Sequence, residues 1–149
     1  MPQSLALVLV HIIFSTKNRI AFTQSPDLRS EVHAYLTATL RGLRCEPLRV
    51  GGLGDHVHIL AGLSRRISLA ELVKSLKTSS TKIVKNKGYS HFSWQSGYGA
   101  FSVSQSAKES VICYIASQES LPSQDDIPGR VPIIAAKHSI AFDERYVWD

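Results

Sequence analysis

The 149-residue chain has few cysteines and no apolar run long enough to cross a membrane, and each shortage excludes a class of protein. Cys45 and Cys113 are the only cysteines, so neither a disulfide framework nor a cysteine-based zinc site is expected. The apolar N-terminal stretch, residues 5–10, is short and follows no basic cluster, unlike a membrane span or a signal peptide. We therefore expect a cytoplasmic protein, with residues 5–10 in a buried strand.

Sequence signatures of two common enzyme classes are also missing. The chain has no Gly-rich phosphate loop of the nucleotide-hydrolase type and no Ser-His-Asp order that suggests acyl transfer. It also lacks repeats and low-complexity linkers, and its length and 44% hydrophobic content fit a single folded domain, residues 1–149. The net charge of +5 and the pI of about 9.4 favour a polyanionic partner, although many small soluble proteins are equally basic.

The apolar patterns predict the order strand, helix, two strands, helix, strand, helix. The strands are predicted over residues 5–14, 47–53, 56–63 and 99–104. The helices are predicted to begin at Ser25 and at capping boxes opened by Ser68 and Ser106, the last helix running to about residue 119. This order predicts an α+β fold, a ferredoxin-like or RRM-like four-stranded antiparallel sheet with helices on one face plus a C-terminal helix. The apolar C-terminal tail, residues 142–149, is expected to dock on the domain.

His56 and His58 flank one apolar residue in the third predicted strand. Side chains two positions apart in a strand share a face, so the two imidazoles should lie about 7 Å apart along it. Such a pair can bind one divalent metal ion and leave coordination positions open for a substrate. Because His-apolar-His triplets also recur by chance, the pair needs a third ligand and a reacting group elsewhere in the chain.

The last predicted helix offers both groups. Tyr114 and Gln118 are four residues apart and are therefore neighbours on the helix surface. The glutamine carbonyl oxygen can ligate a metal, and the tyrosine phenol can act as a nucleophile. The plainer alternative is that Tyr114 packs against the domain and Gln118 lies at the surface.

Basic and aromatic residues outside this set are candidates for DNA contact, each with an ordinary alternative. The second predicted helix carries lysines away from its apolar stripe, which indicates either a solvated face or phosphate binding. Two basic residues at the end of the first strand could grip phosphates, and a tyrosine in the aromatic last strand could stack on bases instead of joining the core. These candidates are Lys17, Arg19, Lys74, Lys77, Lys82, Lys85 and Tyr98.

Two further polar residues have simpler explanations. His11 lies among apolar neighbours in the first predicted strand, which favours a structural histidine over a third metal ligand. Asp55 precedes His56 at a turn, and we favour a bond to the turn backbone over a role in orienting His56 or a base.

Several segments, taken in order, resemble one family. They are residues 11–19 (HIIFSTKNR), 45–47, 51–52, 55–58 (DHVH), 72–77, 94–104, 114–119 (YIASQE) and 143–149. Together they resemble the single-tyrosine HUH transposases, which include small insertion-sequence transposases and REP-associated tyrosine transposases. The chain departs from that pattern in residues 119–130, where relatives carry a charged helical segment.

The resemblance implies a metal-dependent enzyme that nicks and rejoins single-stranded DNA at hairpins near the ends of a mobile element. It implies that Tyr114 forms a 5′-phosphotyrosine bond while His56, His58 and Gln118 hold Mg²⁺ or Mn²⁺. It also implies a homodimer in which the tyrosine helix can complete the partner's site. Two other functions stay open: a non-catalytic hairpin-binding protein of the same fold, and a metal-binding structural protein without a DNA partner.

Overall fold

The computed structural model describes residues 5–22 and 25–118, and within them the predicted order of elements is confirmed. The strands are β1 (Leu9–Ser15), β2 (Pro47–Leu53), β3 (His56–Gly62) and β4 (Gly99–Val103). The helices are α1 (Pro26–Gly42), α2 (Leu69–Asn86) and α3 (Lys108–Ala116). None of the helices in this part of the chain is long and apolar enough to cross a membrane.

The four strands form one antiparallel sheet in the order β2-β3-β1-β4. Two strand-helix-strand units interleaved in this way are the ferredoxin-like arrangement that the sequence predicts. The central strands β1 and β3 are buried almost throughout, because helices cover both faces of the sheet. This explains why apolar residues occupy both faces of the β1 sequence.

The first face of the sheet supports α1 and α2, which bury the main core. Val10, Ile12 and Phe14 of β1 and Val57 and Ile59 of β3 point to this face. The helices contribute apolar side chains at helical spacing, namely Leu28, Val32, Leu36 and Leu40 from α1 and Leu72, Val73, Leu76 and Val84 from α2. Each such buried side chain stabilises the fold by roughly 1.5–3 kcal/mol relative to exposure.

The opposite, second face of the sheet carries α3 on a smaller apolar cluster, in which Leu60 packs with Val111 and Ile115. A Cβ atom at Gly51 would lie 2.9 Å from the Ile115 Cγ2 atom and 3.0 Å from the Ile115 carbonyl oxygen. The glycine therefore lets the backbone of α3 approach β2. Since Gly51 pairs with His58 across the sheet, α3 is seated beside that histidine.

The predicted start of β1 was wrong. Leu5 is 99% exposed and Leu7 is 65% exposed, and the strand begins only at Leu9. The reason lies in the neighbours, because β3 and β4 both end opposite Leu9, at Gly62 and Val103. In the described part of the chain, only the Val8 carbonyl, which accepts from the Leu63 amide at 2.7 Å, continues the pairing beyond Leu9. Apolar composition alone could not show where the neighbouring strands end.

The start and end of the last helix also differ from the prediction. Ser68 caps α2 as predicted, accepting a hydrogen bond from the Glu71 amide at 3.1 Å. Before α3, however, the capping oxygen belongs to Ser104, which accepts from the Ala107 amide at 3.2 Å and opens a 3-10 turn over Gln105–Ala107. The α-helix itself ends at Ala116. The predictions for residues 119–149, including docking of the tail, lie outside the described residues.

Candidate functional site

Three histidines meet on the second face of the sheet, under α3. His56 and His58 extend from β3 and His11 extends from the adjacent β1, and each is at most 2% exposed. The ring centroids of His56 and His58 are 5.1 Å apart, closer than the strand repeat alone predicts, because the rings lean toward each other. Strand alternation thus places the predicted pair on one face, and the sheet adds a third imidazole.

The Nδ1 atom of His56 is held by Asp55. The two atoms Nδ1 and Oδ1 are 2.7 Å apart, and the other carboxylate oxygen, Oδ2, accepts a hydrogen bond of 2.7 Å from the Arg19 guanidinium. Burial alone would raise the pKa of Asp55, but the hydrogen bond and charge of His56 and the charge of Arg19 lower it below its usual value. An ionised carboxylate only accepts hydrogen bonds, so Nδ1 of His56 carries a proton, and in the neutral imidazole Nε2 then has the free lone pair.

This contact corrects the interpretation of Asp55. The sequence favoured a bond to the turn backbone, whereas the buried side chain orients His56 and anchors Arg19. Arg19 reaches the carboxylate from a 3-10 turn, Lys17–Arg19, where Asn18 and Arg19 have φ values of 57° and 58°. Left-handed backbone at non-glycine residues costs roughly 1–2 kcal/mol each, so this turn is held by the contacts that it makes.

The Nδ1 atom of His58 faces His11. It lies 3.1 Å from Nε2 of His11, and the two ring centroids are 5.3 Å apart. The sequence favoured a structural role for His11 because its neighbours are apolar. The β1–β3 register instead brings it into the site, and a register between distant strands is not readable from a local pattern.

Tyr114 covers this cluster from α3. Its ring stands edge-on to His58, with centroids 5.7 Å apart, and to His11, with centroids 6.3 Å apart. The phenol oxygen is buried.

Gln118 is fully buried, which rules out the surface position considered for it. Its side-chain nitrogen donates a hydrogen bond of 3.1 Å to the Tyr114 carbonyl oxygen one turn earlier. This bond assigns the amide nitrogen to the helix backbone. The side-chain carbonyl oxygen is then the atom suited to ligate a metal.

The donor set fits a catalytic divalent ion. His56 and His58 both use Nδ1 for a protein contact and so present Nε2, the arrangement typical of oriented metal ligands. The Gln118 amide oxygen would be a third ligand and would leave the remaining positions open. Over residues 5–22 and 25–118, no group of three or more His, Cys, Asp or Glu side chains is arranged to hold a metal, so a site here depends on Gln118.

A basic groove runs between α2 and the segment that precedes β4. It encloses about 670 Å³ and is lined by Lys82 and Lys85 from α2 and by Trp94 and Ser96 from the segment. Lys82 and Lys85 are exposed. The predicted lysine face therefore borders a concave surface that could follow a phosphate backbone.

Lys77 has a contact that the sequence did not predict. Its Nζ atom donates to the carbonyl oxygens of Gln95 and Gly97, at 2.8 and 2.9 Å, and so fastens the segment before β4 to α2. The same amine lies 5.5 Å from the ring centre of Phe14 and 5.7 Å from that of Tyr98. Burial lowers the pKa of Lys77.

Tyr98 lies immediately before β4 and not inside the strand, and it is 40% exposed. With Lys74 and Lys77 it lines a hollow of about 330 Å³. An exposed ring beside lysines is the combination that binds an unpaired base and its phosphate. Lys74 and Lys17 are both exposed, as phosphate-binding residues need to be.

The groove and the histidine site lie at the same end of the sheet. The Gln95 amide donates to the Ser15 carbonyl at 2.9 Å, and Trp94 bridges to Thr16. Ser15 is the last residue of β1 and pairs with His56. The segment that lines the groove is therefore joined to the strand end that pairs with His56.

Comparisons with known proteins and structures point to transposases. The sequence profile of the family described as "Transposase IS200 like" matches residues 4–118. No curated protein matches the chain.

Two solved structures share the fold. A protein from Deinococcus radiodurans R1, assigned as a transposase, superposes with a TM-score of 0.62 at 20% identity, covering 79% of this chain and 98% of that one. A REP-associated tyrosine transposase bound to a REP hairpin superposes with a TM-score of 0.57 at 13% identity, covering 78% of this chain and 72% of that one. At these identities the likeness establishes the fold.

Proposed function

The chain belongs to the family of IS200-like transposases, enzymes that cleave and transfer DNA strands, and from this premise we propose that it nicks and rejoins single-stranded DNA at hairpin-marked ends. One observation carries the proposal: the Tyr114 ring stands 5.7 Å from His58, in a buried site whose two candidate ligands both present Nε2. A candidate nucleophile thus lies beside a candidate metal-binding pair.

The proposed step is an attack by the Tyr114 phenolate oxygen on a DNA phosphorus. The bond from phosphorus to the 3′ oxygen breaks, so the enzyme keeps a 5′-phosphotyrosine and the released strand ends in a 3′-hydroxyl after taking up a proton. Attack by a 3′-hydroxyl on the phosphotyrosine reverses the step and joins two strands. Because one phosphodiester is exchanged for another, no ATP is needed.

Each residue around Tyr114 has a part in this proposal. His56, His58 and Gln118 would hold Mg²⁺ or Mn²⁺, which supplies positive charge to the attacked phosphate. Asp55 and Arg19 hold His56 in its ligating orientation. The buried position of the phenol keeps bulk water from competing with the 3′-hydroxyl.

DNA binding is assigned to the groove and its surroundings. Lys74, Lys82 and Lys85 would bind phosphates, Tyr98 would stack on a base, and Lys17 would contact the strand near the site. Two lysine-lined hollows along α2 and their position at the histidine end of the sheet support this assignment. The hairpin in the REP-associated relative supports a structured single strand as the substrate.

The proposal is tested by incubating the protein with single-stranded hairpins taken from the DNA flanking its own gene. We expect a covalent protein–DNA adduct on a denaturing gel with Mn²⁺, and none after chelation with EDTA. The alternative, a non-catalytic hairpin-binding protein, predicts a salt-dependent gel shift without an adduct in any metal. Absence of both adduct and gel shift at low salt would favour a structural protein.

Removing charge from the groove should weaken hairpin binding in a salt-dependent way. The slope of log K against log salt concentration is negative. In the double variant Lys82→Ala/Lys85→Ala, we expect its magnitude to fall by about 1.4, because each lost phosphate contact on a single strand removes about 0.7. The measurement is a fluorescence-anisotropy titration at several salt concentrations.

A matched control removes two charges elsewhere. Arg65 and Arg66 are exposed and follow the opposite end of β3. Arg65→Ala/Arg66→Ala should keep the wild-type slope. An equal fall in both double variants would show that net charge, and not the groove, governs binding.

Gly51 should be required for the position of the nucleophile. Gly51→Ala places a methyl group within 3.0 Å of the α3 backbone, so the helix must shift by a few tenths of an ångström. We expect the initial rate of adduct formation to fall roughly 10–100-fold, since small misplacements of reacting groups have effects of this size. Gly42→Ala is the control, because no atom lies within 4 Å of its added Cβ; equal rates for the two variants would contradict this expectation.

The proposal includes a cytoplasmic homodimer, with Tyr114 acting on the histidines of its own chain. Light scattering of the purified protein tests the dimer. Mixing a Tyr114→Phe protein with a His58→Ala protein tests the arrangement. No adduct is expected from the mixture, whereas restored adduct would show that the helix exchanges between subunits.

A further inference from the structure

His11 is a buried histidine with a hydrogen-bonding contact inside the proposed site, yet the strand-transfer step does not use it. It is 1% exposed, and its Nε2 atom lies 3.1 Å from Nδ1 of His58. Its ring also packs beside Phe101, with centroids 6.4 Å apart, and beside Tyr114. A leucine would fill this buried position without the hydrogen bonds that a buried imidazole needs, so the histidine calls for an explanation.

The contact decides which nitrogen of His58 can bind a metal. If Nδ1 of His58 donates to His11, Nε2 of His58 keeps the lone pair that ligation needs. If His11 donates instead, the proton of neutral His58 sits on Nε2 and blocks ligation. The direction of the hydrogen bond between Nε2 of His11 and Nδ1 of His58 therefore sets the tautomer of neutral His58.

The neighbouring ligand is oriented in the same manner. Asp55, an acceptor, fixes the proton of His56 on Nδ1. His11 occupies the equivalent position relative to His58, on the adjacent strand β1. Both candidate ligands thus have a dedicated partner on Nδ1, and the two partners come from different elements.

We propose that His11 is a positioning residue whose Nε2 accepts a hydrogen bond from the Nδ1–H of His58, and so keeps the lone pair on Nε2 of His58 available to the metal. This inference rests on the proposed function, because it assigns His58 as a ligand. It assigns no contact between His11 and the DNA or the metal. A hydrogen-bonded partner of this kind typically affects metal affinity 10–100-fold.

Two variants separate the hydrogen bond from packing. His11→Gln can place a side-chain carbonyl oxygen where Nε2 was, and so keeps an acceptor for His58. His11→Leu keeps an apolar side chain of similar bulk and removes the acceptor. His33→Leu, on α1 and away from the site, controls for loss of an imidazole.

Calorimetric titration of the DNA-free protein with Mn²⁺ gives a readout independent of activity. We expect His11→Leu to bind Mn²⁺ roughly 10–100-fold more weakly than wild type, and His11→Gln to recover most of the loss. Raising the Mn²⁺ concentration should also restore adduct formation in His11→Leu. Wild-type affinity in His11→Leu, or equal weakening in both His11 variants, would overturn the proposal.

A second readout needs no metal. Nitrogen-15 NMR of the metal-free protein reports the protonated nitrogen of neutral His58, and we expect Nδ1 in wild type and a shift toward Nε2 in His11→Leu. A wild-type proton on Nε2 would overturn the positioning role even if the strand-transfer activity is present. Wild-type protein that binds no Mn²⁺ and forms no adduct would overturn the proposed function itself. The NMR result would still report separately whether His11 sets the protonated nitrogen of His58.

Discussion

We expect Tyr114→Phe to abolish the covalent protein–DNA adduct and to leave hairpin binding at the wild-type level. The substitution removes only the phenol oxygen, which is the proposed nucleophile, and keeps the ring that packs against His58 and His11. Loss of one buried hydroxyl changes stability by about 0.5–1.5 kcal/mol, so the variant should fold. The measurement pairs a denaturing gel for the adduct with an anisotropy titration for binding.

A tyrosine away from the site provides the control. Tyr35 is 40% exposed on α1, and Tyr35→Phe should form adduct at the wild-type rate. Adduct that persists in Tyr114→Phe would remove Tyr114 from its assigned role. Loss of hairpin binding in Tyr114→Phe would instead point to a role for the phenol in DNA recognition.

His56→Ala and His58→Ala should abolish adduct formation while hairpin binding stays nearly unchanged. Each variant removes one of the two imidazoles proposed to hold the metal. The groove assigned to DNA is lined by α2, which packs on the opposite face of the sheet. The His56 variant also leaves the buried Asp55 with one partner fewer, which should lower stability by about 1–3 kcal/mol. Thermal unfolding must therefore be measured beside the activity.

The matched control is His91→Ala, which removes an exposed imidazole from the loop after α2. It should keep full adduct formation and the wild-type melting temperature. If His56→Ala and His58→Ala lose binding and adduct to the same degree, the histidines serve the fold and not a metal. Adduct restored in either variant by higher Mn²⁺ would show that one imidazole suffices.

The sequence predicted the fold well wherever the signal was local. The bounds of β2 and the Ser68 cap of α2 match the prediction, because strand alternation and capping chemistry depend on adjacent residues. The His56–His58 pair falls on one face for the same reason. The order of elements left few topologies open, and the ferredoxin-like sheet is one of them.

The errors lie where a residue's role depends on distant partners. Residues 5–8 are apolar, as in a strand. They precede Leu9, where the pairing of β1 with both neighbouring strands stops, so they are not part of the strand. Ser104 and Ser106 both precede α3, and only the backbone path decides which of the two hydroxyls serves as a cap; the structure uses Ser104, which accepts from the Ala107 amide. Local propensity does not distinguish two serines so close together.

The contacts of the residues that support the site could not be predicted from the sequence either. His11 reaches His58 through a strand register that joins residues 47 positions apart, and Arg19 reaches Asp55 across 36 positions. Lys77 fits the lysine face by spacing, yet two carbonyls of a later segment engage its amine. Such contacts follow from tertiary structure, so the sequence could suggest candidate reacting groups but not the residues that orient them.

The central claim is that Tyr114 becomes covalently joined to DNA, and mass spectrometry of the adduct tests it most directly. The wild-type protein is incubated with a flanking-DNA hairpin and Mn²⁺, digested with nuclease and protease, and the nucleotide-bearing peptide is sequenced. The account predicts a phosphodiester-linked nucleotide on Tyr114, attached through its 5′ phosphate. A nucleotide on any other residue, or a linkage through the 3′ end, would contradict it.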